Sequence, residues 1–397
     1  MMERAIWFLI LLFSFEPPYF RENIYVDKVY VLGRLAMVYF LLLILITRWK
    51  RYCPGKAVMG ILLTESCSFI STFYNGGYSL KSLGMNEIIL LSFVIFLDYM
   101  FETDVSVALS VLTLHYEILV YMNFLTVFLF PQGLYNQGTG RDYWFLGQVN
   151  QTVLYIIPAI LLELLYSRYV RNKRTPGIRA WGMILAGSIT LLRVWSATAL
   201  VGMLIFGGLI CWGLFYRRAV KVNIGAELSI VMFLAFVVFR LQNYFSFFIV
   251  NVLHRNLSFS TRTEIWDSAF EYISKKLLLG YGMESIEQAT ERFGYMTPHN
   301  RYLYLCYQGG IVMLIMFFLF LAGGNRILRK AEKTKAAVYI SACVCAFLVM
   351  MQFESYNTPL FYVPFILMFH AEKFSESRKE QSQNEKRTDI ADQKLHI

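Results

Sequence analysis

Apolar stretches long enough to cross a lipid bilayer follow one another along nearly the whole chain, and that feature alone excludes most folds. A hydrocarbon core about 30 Å thick takes roughly 17–25 helical residues. Within lipid every backbone N–H and C=O needs a protein partner, so only helices and closed barrels cross. The stretches lack the apolar/polar alternation of barrel strands. Helical spans are therefore expected near 5–20, 29–47, 57–74, 87–101, 105–130, 152–169, 180–194, 198–216, 228–250, 302–322, 336–353 and 359–370, about twelve crossings. The hairpin 180–216 reads as two helices or one bent element, and the last span is short. Composition agrees, because 57% of the 397 residues are hydrophobic and only 16% are charged, whereas soluble domains carry about a quarter charged residues. The expected fold class is all-α, a polytopic membrane protein.

Basic residues are retained on the cytoplasmic side of a membrane. They gather in "RWKRYCPGK" (48–56), "RNKRTPGIR" (171–179), "YRRAVK" (216–221) and "NRILRKAEKTK" (325–335), at alternate connections. Both termini are accordingly expected inside, in a multi-pass protein of the cell (cytoplasmic or inner) membrane surrounded by membrane lipids. The domain organisation reads as one transmembrane unit, 1–372, and a disordered basic cytoplasmic tail, 373–397. These segments account for the formal net charge of +10, which leaves no reason to invoke nucleic acid. The first apolar run lacks a small-residue cleavage site and reads as a retained helix. Cys53, Cys67, Cys211, Cys306, Cys343 and Cys345 form neither a disulfide framework nor a metal-spaced pair.

This topology puts an outer connection of about fifty residues at 251–301, far beyond ordinary loop length, and such loops are commonly functional. Within it, "STRTEIWDSAFEYISKK" spaces Thr261 and Glu264 as a capping box. Ile265, Trp266, Ala269, Phe270 and Ile273 then recur on one helical face. A second short helix, "MESIEQATERF", puts Glu284, Glu287 and Glu291 on a solvated face. Next comes "YMTPHNRYLYLCYQGG" (295–310), in which Thr297 fits an N-cap and Pro298 the first helical position. His299 would then lie in the first helical turn, beside unpaired N–H groups that attract phosphate and disfavour imidazolium. It reads either as a proton acceptor or as a simple helix-capping histidine.

Outward arginines run against the inside bias, and a guanidinium binds phosphate through a planar fork of donors. Arg262 opens the amphipathic helix, Arg193 lies near the outer end of a span, and Arg141 and Arg301 are also outside. Asp98, His115, Glu117, Glu163 and Arg240 lie within spans and suit helix-to-helix pairing, whereas His254, His370 and His396 offer no pattern. The chain has no Asp-x-Asp pair, no phosphate-binding P-loop, no GxSxG and no HExxH. An outward site that uses no metal and no cofactor is the simpler expectation.

The segments "STRTEIWDSAFEYI", "LLLGYGMES" and "HNRYLYLCYQGGI" resemble the O-antigen ligase and polymerase superfamily, whose long outer loop runs Arg, Trp, Gly-x-Gly and His-Asn into a glycine-bearing span. Arg262, Trp266, Gly280, Gly282, His299, Asn300 and Gly310 occupy those places. "FLGQVNQTV" (145–153), with Asn150, resembles a span entry of the family. "LLRVWSATALVG" (191–202) resembles its serine–arginine segment, although Leu192 rather than Ser precedes Arg193. The resemblance implies a GT-C-like glycosyltransferase domain with 251–301 as its catalytic loop. It further implies a donor glycan on undecaprenyl diphosphate, presented at the outer face. His299, Arg262 and Arg193 are the implied catalytic residues, and Asn300, Arg301, Arg141, Trp266, Tyr302 and Asn150 the implied substrate contacts. The reaction expected is inverting polymerisation of capsular, exopolysaccharide or O-antigen repeat units, with a chain-length regulator and a flippase as partners. Ligase-type transfer to a terminal acceptor is the alternative within the family, and a polysaccharide transporter the alternative outside it.

Overall fold

The computed structural model describes residues 2–48, 52–76, 80–136, 142–241, 244 and 262–374. Arg141, Thr261, His254, His396 and the tail from 375 onward lie outside them. The described residues form fourteen α-helices and one two-stranded hairpin. In order these are α1 (Met2–Leu12), α2 (Ile24–Arg48), α3 (Lys56–Asn75), α4 (Leu80–Thr103), α5 (Val105–Leu129), β1 (Tyr143–Trp144), β2 (Gly147–Gln148), α6 (Val153–Tyr169), α7 (Ile178–Val194) and α8 (Ala197–Phe215). Then follow α9 (Val222–Met232), α10 (Arg262–Lys275), α11 (Ile286–Phe293), α12 (Arg301–Lys330), α13 (Lys335–Met350) and α14 (Val363–Phe369).

Six segments, in α2, α3, α4, α5, α8 and α12, are long and apolar enough to cross a membrane. This is a multi-pass membrane protein. The other expected spans coincide with shorter helices, and each departure has a local cause. The first span ends at Leu12 rather than residue 20, because Pro17 and Pro18 cannot donate to a helix. Glu16, just before them, is buried and paired with Arg21 at 3.0 Å and Arg34 at 2.9 Å. The span expected at 228–250 is α9, which passes into a π-helical turn over Phe233–Val238; residues 242–243 and 245–250 are outside the described set. The hairpin 180–216 is two helices: Trp195 turns in the left-handed region and Ser196 caps α8 by accepting from the Ala199 N–H.

At the centre lie α13 and α14, almost every residue of which is buried. Around them, α8 and α9 pack on α13, α3 packs on α12, and α5 packs on α6 and α7. Small residues allow the close approaches: Gly202 faces Met350 and Gly225 faces Cys345.

The intramembrane polar residues mostly find partners. Arg179 bridges Glu117 and Glu163, the latter at 3.2 Å, and Arg240 pairs with Asp267 of α10. His370, which offers no pattern in the sequence, stands 3.1 Å from Asp98. His115 instead bonds the Val111 carbonyl of its own helix at 2.9 Å and stacks on Phe8 and Phe15.

Candidate active site

The segment between α10 and α11 is seated on a break in α12. Gly310 has φ +69°, outside helical space, so the helix is two segments meeting there. A break inside an apolar helix strands carbonyls, and in a membrane these need partners. The loop supplies them: Tyr281 N–H donates to the Tyr307 carbonyl (2.7 Å) and Gly282 N–H to that of Gln308 (2.8 Å), while Ile311 N–H donates to Leu277 (2.8 Å). The chains approach so closely that a Cβ on Gly310 would meet the Leu278 carbonyl, and one on Gly280 would meet that of Tyr307. This is the physical content of the Gly-x-Gly and the distant Gly310. The end of α3 clamps the same strand, with Thr72 Oγ1 accepting from Met283 N–H at 2.7 Å and Asn75 donating to the Gly280 carbonyl at 3.1 Å.

Farther along the loop, Glu284 lies before α11 and is paired with Arg292 at 2.9 Å, whereas Glu287 and Glu291 are exposed. Glu284 thus does not belong to the solvated acidic face expected there. Arg292 sits over the Tyr281 ring at 4.2 Å and the Tyr272 ring at 5.1 Å, which ties α11 to α10.

The start of α12 differs from the sequence expectation. Its N-cap is Asn300, not Thr297, and His299 precedes the helix with φ +48°. The Asn300 side chain accepts from Tyr302 N–H (3.0 Å) and Leu303 N–H (3.1 Å), and Arg301 N–H donates to the Met351 carbonyl (2.8 Å). The first-turn donors are thus spoken for, so the helix terminus is no open phosphate cradle. Asn300 also donates to the Gln352 carbonyl at 2.9 Å. That bond fastens the start of α12 to the segment leaving α13, and it brings His299 and Glu354 together.

Glu354 is the hub. Arg262, the first residue of α10, forms an ion pair with its Oε1. Asn150, just after β2, donates to the same oxygen at 2.7 Å, and His299 Nδ1 stands 3.7 Å from Oε2. Ser196 extends the chain by donating to Asn150 Oδ1 at 2.7 Å. Each segment is fixed by its own packing. The hairpin is held to α5 by Trp144 Nε1 donating to Phe130 (2.8 Å) and Leu146 N–H donating to Asn123 (2.9 Å). Helix α10 lays Ile265, Trp266, Ala269 and Ile273 in a core with Leu303, Cys306 and Tyr307 of α12. The side chains that meet are largely buried but not sealed: Glu354 is 12%, Arg262 15% and His299 23% exposed. Next to them burial, reinforced by Glu354, pushes the Tyr356 hydroxyl well above its usual range, so that phenol stays neutral and is no candidate base.

Of the residues singled out in the sequence, Arg262, His299 and Asn150 converge on this carboxylate. Trp266 is fully buried in the α10/α12 core, and Tyr302 is buried with its hydroxyl donating to the Leu348 carbonyl at 2.8 Å. Arg301 is buried beside Asn357 (3.1 Å) and Glu65 (4.0 Å). Arg193 is exposed at the end of α7; Ser196, three residues on, reaches the cluster in its place. Glu354 itself was missed. Its signal was modest, an acidic residue immediately after an apolar run, at an expected interface.

Residues 181–318 match the family model of the O-antigen ligase. That match supports the resemblance of this segment to the O-antigen ligase and polymerase superfamily. No curated protein matches it. The matched O-antigen ligase segment runs from α7 into α12 and holds Ser196, Arg262 and His299. Asn150 and Glu354 lie outside it and enter the site only through the fold. Members of this family are glycosyl-transferring enzymes, and a clustered histidine, arginine and carboxylate suits such chemistry. Among the described residues, no group of three His, Cys, Asp or Glu is placed to hold a metal ion.

Proposed function

We propose that the protein is an inverting, metal-independent polymerase that joins oligosaccharide repeat units carried on undecaprenyl diphosphate, at the outer face of the cytoplasmic membrane. One observation carries this reading: Arg262 and His299, within the O-antigen ligase segment, meet on the partly exposed Glu354 carboxylate beside the loop seated over the α12 break. A glycan diphosphate is already a good leaving group. The enzyme must therefore hold developing negative charge and remove one proton. The acceptor hydroxyl oxygen attacks the anomeric carbon as its proton passes to His299. The bond from that carbon to the phosphate oxygen breaks, its electron pair leaving with the lipid diphosphate, which Arg262 binds through its forked donors. Backside attack inverts the anomeric centre. Asn300 contributes by fixing the turn that presents His299. Arg193 serves as a secondary contact for the diphosphate from the end of α7.

The test is purified protein in nanodiscs supplied with a synthetic undecaprenyl-diphosphate repeat unit as both donor and acceptor. A ladder of products in multiples of the repeat is expected. Transfer of a single glycan to an added terminal lipid acceptor, with no ladder, would replace polymerisation by ligation. Tags near residue 288 should report outside and tags near 330 cytoplasm; the reverse would put the loop on the wrong side for this donor.

A further inference from the structure

We infer that Glu354 is the positioning residue of this site, a carboxylate that holds Arg262 while the site is empty and His299 once a diphosphate has taken the arginine. The inference rests on the glycosyl-transfer reading above and adds a residue outside the matched family segment.

The geometry gives the reasons. Oε1 is already engaged by Arg262 and by Asn150 at 2.7 Å, whereas Oε2 faces His299 Nδ1 at 3.7 Å, just beyond hydrogen-bond length. An anion so near the phosphate-binding arginine would repel a diphosphate at a range where unit charges interact appreciably. It is tolerable only if its charge is compensated from elsewhere in the bound state. His299 provides a hydrogen-bond donor in the arginine's place, and a full positive charge once it has taken the acceptor's proton. A shift of under an ångström brings Oε2 within reach of an Nδ1–H, and a hydrogen bond there leaves the lone pair on Nε2, the nitrogen that takes the acceptor's proton. The proton ends on His299; Glu354 remains ionised throughout and accepts a hydrogen bond only.

His299 is built to receive such help. It precedes the helix at φ +48°, in the left-handed region, where only the surrounding structure holds a non-glycine residue. Its ring packs edge-on against Tyr295 at 5.6 Å. Besides that, the contact that aims its Nδ1 is Glu354. The carboxylate in turn is steadied by Asn150, itself gripped by Ser196, so the segment between β2 and α6 bears on the imidazole through one hydrogen bond to Glu354 and that carboxylate's contact with Nδ1.

The experiment compares Glu354→Gln, Asn150→Ala and His299→Ala in the nanodisc assay. Chain-extension rates are measured beside equilibrium binding of undecaprenyl diphosphate, after thermal unfolding confirms that each variant is folded. Glu354→Gln removes the charge but keeps the shape. Turnover should fall roughly 10²-fold to 10⁴-fold, as when a histidine loses the carboxylate that sets its tautomer. Lipid diphosphate should bind as tightly as to the unaltered protein, or more tightly. Asn150→Ala should lose turnover in the same sense but by about 10-fold. The double variant Glu354→Gln with His299→Ala should be no slower than His299→Ala alone, because the carboxylate acts through the imidazole. Full turnover in Glu354→Gln, a parallel loss of lipid binding, or additive losses in the double variant would each overturn the inference. If Glu354→Gln proves unfolded, Asn150→Ala decides: unaltered turnover there sinks the proposal. Failure of the underlying reading looks different, since the unaltered protein would then neither bind the lipid diphosphate nor extend chains.

Discussion

Two histidine–carboxylate pairs, one just before α14 and one just after it, are made of the same chemistry and arranged to opposite effect. After the helix, His370 Nε2 stands 3.1 Å from Asp98 Oδ1, while Asp98 Oδ2 accepts from the Tyr52 hydroxyl at 2.8 Å and from Gly55 N–H at 2.9 Å. His370 and Asp98 side chains are 3% and 1% exposed, and Phe101 stacks on the imidazole. Before the helix, His299 keeps 3.7 Å from Glu354 and both side chains stay partly open. A closed, short, fully buried pair fixes one structure. An open pair with an arginine on the same carboxylate leaves each member free to exchange its partner for a ligand.

The sharpest way to break this contrast is to remove each histidine in turn. His299→Ala should lower chain extension by roughly 10²-fold or more while the protein remains folded and binds lipid diphosphate. Arg262→Ala should lower both turnover and binding, by roughly 10²-fold to 10³-fold in turnover; Lys at that position restores charge without the fork and should recover only part. His370→Ala should leave turnover per folded molecule within about 2-fold and instead cost about 2–4 kcal/mol of stability, because it takes the partner from Oδ1 of the buried Asp98. The checks are product ladders on a gel and unfolding curves in detergent. Full ladders from His299→Ala would demote that residue to a loop anchor and erase the distinction.

The comparison also explains what the sequence could disclose. Apolar run length located every helix that later proved long enough to cross, because burial in lipid writes itself into local composition. The amphipathic face of α10 was legible for the same reason, as Ile265, Trp266, Ala269 and Ile273 recur at helical spacing and are buried, whereas Phe270, expected on the same face, is exposed. Arg262 and His299 stood out as an outward arginine and a histidine near a helix start, and then through motif resemblance. Glu354 and His370 did not, since each acquires its partner only when distant segments meet: Glu354 needs the end of α13 fastened to Asn300, and His370 needs the end of α4. The N-cap of α12 was misplaced because Thr297 and Asn300 are both good caps locally. Gln352 decided between them by accepting a hydrogen bond from Asn300. The early end of α1 was legible in Pro17 and Pro18, but apolar flanks outweighed it.

A middling effect should come from the scaffold beneath the open pair. Gly310→Ala puts a side chain at φ +69° against the Leu278 carbonyl, costing at least about 2 kcal/mol. The loop strand 277–282 is held to the broken helix by the hydrogen bonds around this residue, so displacing it moves α10 and with it Arg262. Lower unfolding temperature together with reduced turnover is expected, while His370 and Asp98, far along the chain from the break, should keep their buried pair. Proteolysis separates local from global damage: cleavage should become faster between residues 276 and 294 and stay unchanged around residue 370. Uniform loss of protection would mean that the break stabilises the whole bundle and not the loop alone.

The smallest effect belongs to Arg193, and it tests whether openness by itself marks a functional residue. Arg193 is exposed at the last turn of α7, and among the described residues no hydrogen bond or ion pair holds it. Arg262, by contrast, is held in place by Glu354 before any ligand arrives. A guanidinium that must be ordered on binding loses side-chain entropy worth about 2 kcal/mol, which offsets most of what one exposed phosphate contact returns. Arg193→Ala should therefore weaken lipid-diphosphate binding by only about 3-fold and leave the rate at saturating donor unchanged. Ser196→Ala, three residues on, removes the hydrogen bond to Asn150 and should cost more in rate than Arg193→Ala does. If Arg193→Ala instead matches Arg262→Ala, the arginine is recruited into the site by substrate, and a place in the cluster before ligand arrives is not what separates a working arginine from a spectator.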